Sequence, residues 1–89
     1  MSKNISVNEE SLLEIMKKLN TLNEETVIHL NSVSKTIDFA EMEGWNDSNF
    51  LKFKEDFHNV DRLLKDGLRN LEDNLIPELK RILLLLEEY

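Results

Sequence analysis

Nine residues spaced at steps of three and four, Leu12, Ile15, Leu19, Leu22, Thr26, Leu30, Val33, Ile37 and Ala40, run through the first half of the chain with no proline or glycine between them. Only a helix brings positions so spaced onto one side. The steps run 3, 4, 3, 4, 4, 3, 4, 3, a coiled-coil seam with one stutter. Such a narrow stripe calls for a single facing helix or a slim bundle rather than a broad globular core.

The helix has a start signal in Ser6 and Glu9, an S-x-x-E capping box in which each side chain satisfies a free amide of the first turn. From there the pattern predicts a helix over about 6–42, on the order of 55 Å long at 1.5 Å per residue. It fails at GWNDSNF, where Gly44 and the only tryptophan, Trp45, precede three good helix-capping types, Asn46, Asp47 and Ser48. The spacing resumes at Phe50, Phe53, Phe57, Val60, Leu64, Leu68, Leu71, Leu75, Leu79, Ile82 and Leu86, predicting a second helix over about 48–87. Pro77 is the one fault in it, because proline withholds an amide from the residue four positions back, and a bend is expected there.

Composition narrows the range of functions. The 89 residues form one small domain, a size at which a lone fold is marginal and association is expected. The absence of cysteine excludes disulfides and thiolate metal sites. A net charge of −7 disfavours nucleic acid and anionic lipid as partners. No window reaches the roughly 20 apolar residues of a membrane span, and the opening MSKNISVNEE has no secretory apolar run, so the chain is expected to start in the cytoplasm.

Catalytic and metal-binding readings find little to build on. His29, His58 and Asp61 could be drawn together across the turn, but no H-x-x-x-H or E-x-x-H element accompanies them, so neither a metal nor another cofactor is expected. Ser and His occur without a nucleophile elbow, and two helices offer no cleft for a substrate, so an enzyme is not expected. The three phenylalanines at helical spacing read as core. Ile82 to Leu86 carry apolar side chains all around the helix, which one neighbour cannot cover, so this end is expected to be buried from two sides.

Two long amphipathic helices joined by turn residues 43–47 are expected to fold back as an all-α, antiparallel two-helix hairpin. A hairpin leaves each stripe partly wet, so two of them are expected to dimerise into a four-helix bundle. The interface is assigned to Leu12, Ile15, Leu19, Leu22, Leu30, Leu64, Leu68, Leu71, Leu84 and Leu85.

The order I-S-V-x-x-E-x-L over Ile5 to Leu12, a seam-patterned helix, a tryptophan turn midway and F-x-x-F-x-x-x-F at Phe50, Phe53 and Phe57 resembles the WXG superfamily, the ESAT-like small helical hairpins of type VII secretion systems. In that resemblance Trp45 takes the place of the motif tryptophan, Asn46 its variable position and Asp47 that of the glycine. It implies a non-catalytic secretion substrate or carrier, exported without a cleavable signal peptide. It also implies Gly44, Trp45, Asn46 and Asp47 as the turn and secretion motif, with partners among another helical hairpin, a larger toxin or effector and the secretion ATPase. The alternative is a cytosolic coiled-coil adaptor or dedicated chaperone that is not itself secreted.

Overall fold

The computed structural model describes residues 7–87. It is all-α: α1 spans Val7–Met42, α2 Ser48–Asn70 and α3 Ile76–Glu87, with one π-helical turn, Leu71–Leu75, between α2 and α3. No strand occurs among the described residues, and none of their helices is long and apolar enough to cross a membrane. The capping box on Ser6 and the Ile5 end of the family-like stretch lie outside the described residues.

The end of α1 is set by Gly44. Its φ of 106° lies where only glycine sits at low cost. This backbone lets the Gly44 N–H donate to the Glu41 carbonyl and the Trp45 N–H to the Ala40 carbonyl, both at 3.0 Å. The two bonds are the Schellman pattern, which satisfies carbonyls that the last turn would leave open. At the start of α2, Asp47 takes an extended backbone, and its carboxylate accepts the Phe50 N–H at 2.8 Å.

Beyond the turn, α1 touches α2, the π turn and α3 in succession. Lys54 bonds Asp38 and Glu41, Lys65 Nζ donates to Asn31 at 2.8 Å, and Asn23 donates to Glu72 at 3.3 Å. Partner numbers fall along α1 as they rise from α2 into the π turn. The result is an elongated body with extents of 69 × 17 × 13 Å.

The fault at Pro77 is absorbed by the turn before it. Proline has no N–H to return to Asp73, and the Ile76 N–H reaches five residues back to the Leu71 carbonyl, making the turn π-helical. The wide turn acts like one extra residue and resets the helix phase. Leu75, placed on the seam by simple spacing, is 48% exposed, while its neighbour Ile76 is 4% exposed.

The core is small. Among the described residues only Leu12, Ile37, Phe50 and Ile76 are buried. This corrects the reading of all three phenylalanines as core: Phe50 is buried and Phe57 half-buried, but Phe53 is 54% exposed. On α2 the positions turned towards α1 are Phe50, Lys54, Phe57, Asp61, Lys65 and Leu68, a row that also steps by three and four. Lys54 and Lys65 can occupy it because ion pairs and Asn31 hold their amines at its edge while the aliphatic stems cover the groove.

Candidate interaction surface

Two features of the sequence meet at the turn. Asp47 uses one carboxylate oxygen to cap α2, while its other oxygen accepts the Trp45 Nε1–H at 3.2 Å. The Trp45 ring lies tilted over Phe50, with ring centroids 4.6 Å apart. One carboxylate thus fixes both the helix start and the indole, and over half of the tryptophan surface stays open to solvent. Asn46 is exposed and completes the turn.

Replacing the cap measures this coupling. Asp47→Ala is expected to cost about 1 kcal/mol in urea unfolding, because α2 loses an N-cap, whereas Asp47→Gly costs only a few tenths. Tryptophan fluorescence anisotropy should fall in both variants, since both free the indole N–H. Equal stabilities for the alanine and wild-type chains would show that the cap contributes nothing.

Next to the turn, Phe39, Met42 and Leu51 are also exposed. Phe39 and Met42 escape a seam-based reading because they lie off the 3/4 spacing. Their only signal in the sequence is an apolar side chain where a solvated face calls for a polar one.

The residues assigned to an interface divide into two groups. Leu12 is buried, and Leu19, Leu30, Leu68 and Leu71 are half-buried along the contact between the arms. Ile15, Leu22, Leu64, Leu84 and Leu85 are exposed. Val33, Phe53 and Val60 join the exposed set. At 100° per residue, Ile15, Leu22 and Val33 fall within about 20° of one another on α1, and Phe53, Val60 and Leu64 within about 40° on α2. Each arm therefore carries a line of open apolar side chains beside the residues that face the other arm.

The polar groups between the arms have ordinary chemistry. The Glu41 hydrogen bond raises the Lys54 ammonium above its usual 10.5; partial desolvation opposes this, and the charges of Glu41 and Asp38 add to the rise. A raised folded-state value means that the contribution of Lys54 is complete below about pH 10.5 and is lost as pH climbs through the higher folded value. Unfolding midpoints taken from pH 9 to pH 12 should therefore fall less for Lys54→Met than for the wild-type chain, and parallel curves would contradict the pairing. In α3 the Arg81 hydrogen bond and charge hold Glu78 below the usual carboxylate range.

Asp61 pairs with Lys65 through one oxygen, while its other oxygen is buried without a hydrogen-bond partner. His29 and His58 are both exposed. Among the described residues no group of three His, Cys, Asp or Glu side chains is placed to hold a metal. A groove of about 900 Å³ runs beside the π turn between Asn20, Glu24 and Ile28 on α1 and Asp73, Pro77 and Lys80 on the other arm.

Compared with known protein families, characterised proteins and solved structures, the chain finds no match.

Proposed function

We propose that the chain is a non-catalytic, antiparallel helical hairpin that works by association, two copies closing into a four-helix bundle that serves as a substrate or carrier of a type VII secretion pathway. The observation that carries the association is the surface. The chain exposes 6998 Å², about 1,600 Å² more than the roughly 5,400 Å² usual for a folded monomer of its mass. A standard interface takes about 800 Å² from each partner, so the excess is ample for a stable dimer.

The placement of the open apolar side chains supports the same reading. Ile15, Leu22 and Val33 are offset from the inward-facing residues of α1, and Phe53, Val60 and Leu64 from those of α2, in the same rotational sense by about 60–80°. Because the arms run in opposite directions, equal offsets put both lines on one face of the hairpin. A second copy laid on that face buries both lines at once. The exposed Leu84 and Leu85 extend the apolar surface near the free end.

The export part of the proposal rests on the resemblance of the tryptophan turn and the phenylalanine spacing to the WXG superfamily. Trp45, anchored by Asp47 and open on one side, is the group a translocase or an effector would read. Expressed in a Gram-positive host with a type VII system, the protein should reach the medium only while the secretion ATPase is intact, and Trp45→Ala should abolish this without loss of the dimer. Retention in the cytoplasm under both conditions would overturn export and favour a cytosolic adaptor.

A further inference from the structure

Gly67 stands in the last turn of α2, and because the helix runs on into the π turn and α3, a glycine there still costs roughly 1 kcal/mol relative to alanine. No contact among the described residues calls for it. Unlike Gly44, it has no positive φ, and a Cβ added there would meet no atom within 4 Å. A helical glycine leaves its backbone open to close approach, and no other described residue takes that space here. The surroundings fit such an approach: Gly67 opens a groove of about 580 Å³ with apolar walls at Leu71 and Leu75 and a polar edge at Asn70, Asn74 and Glu78.

The same side of α2 also carries a protruding group. Phe53, Val60 and Gly67 follow one another at seven-residue steps, a line that drifts only about 20° per step. Phe53 and Val60 on that line are both more than half exposed. In a symmetric pair a two-fold axis through Val60 sets Phe53 of each copy against Gly67 of the other, because both lie seven residues, about 10.5 Å of helix rise, from the axis. We infer that Gly67 is a socket for the Phe53 ring of a second copy of this chain, so that two identical knob-and-socket contacts flank Val60 and set the register of the dimer. The inference rests on the self-association proposed above and adds which residues meet.

A cysteine-free chain makes the test direct. Phe53→Cys and Gly67→Cys chains are prepared separately, checked for helix content, and oxidised gently alone and as a mixture. The mixture should yield a covalent dimer and neither chain alone should, since two copies of residue 53 lie on the order of 21 Å apart along the helices in this register. Val60→Cys should cross-link with itself. Gly67→Leu should weaken self-association at least tenfold in sedimentation while its monomer keeps full helix content, because leucine fills the socket yet favours helix. Ready cross-linking of Phe53→Cys with itself, or a Gly67→Leu dimer of wild-type affinity, would overturn the socket and leave the dimer standing. A wild-type chain that is monomeric at every concentration would remove both.

Discussion

Phe50→Ala lowers the stability of the folded chain by about 3–5 kcal/mol, the range for emptying a buried aromatic site. A domain of this size has a total of roughly 4–13 kcal/mol, so the substitution removes a large share of it. The reason is local. Phe50 is 3% exposed, it is the third residue of α2, its amide is the one Asp47 caps, and its ring carries Trp45. Its loss therefore opens the core where the two arms meet and releases the tryptophan with it. Urea unfolding followed by circular dichroism, at one fixed protein concentration, measures the effect. Leu63→Ala is the control: that residue is 68% exposed and off the apolar face, so its cost stays within about 0.5 kcal/mol. Equal shifts for the two variants would show that the core is not where burial places it.

The second large effect concerns assembly. Val60→Glu combined with Leu64→Glu sets two carboxylates in the middle of the open apolar face. Both positions are about half exposed in the single chain, so helix content should hardly change. In the dimer the same carboxylates would be buried without partners, the one at position 60 opposite its own copy. Self-association is expected to weaken by at least a hundredfold, read as a shift of the sedimentation boundary towards the monomer. A double variant that still forms dimers at wild-type concentration would place the interface elsewhere.

How much of this was legible in the sequence depends on the kind of signal. Helix type follows from spacing alone, and the break at Gly44 follows from the one place where spacing stops and a glycine can turn the chain. The capping role of Asp47 is legible too, since a carboxylate three residues before Phe50 satisfies an amide that every helix start leaves open. The phase of the second arm is not. A step of three or four fits Phe53, Val60 and Leu64 as well as Lys54, Asp61 and Lys65, and a preference for apolar residues selects the first row. In the structure the second row, completed by Phe50, Phe57 and Leu68, turns inward, because Asp38, Glu41 and Asn31 on α1 hold the lysine amines. The first row is left open.

The π turn was hidden for a related reason. Pro77 announces a fault, but whether the chain kinks, restarts or widens depends on which side chain gains burial, and here it is Ile76. The apolar residues that spacing failed to enclose are the ones on which the dimer proposal rests. A pattern with more apolar positions than one neighbour can cover names the need for a partner before it names the partner.

On the proposed reading this chain is half of its working unit. The most direct test is sedimentation equilibrium of the purified chain over a wide concentration series, with tryptophan emission recorded on the same samples. The expected result is twice the chain mass of 10.5 kDa persisting into the low micromolar range, with full helix content and the emission of a half-exposed indole. A well-folded species of single mass at every concentration would contradict it.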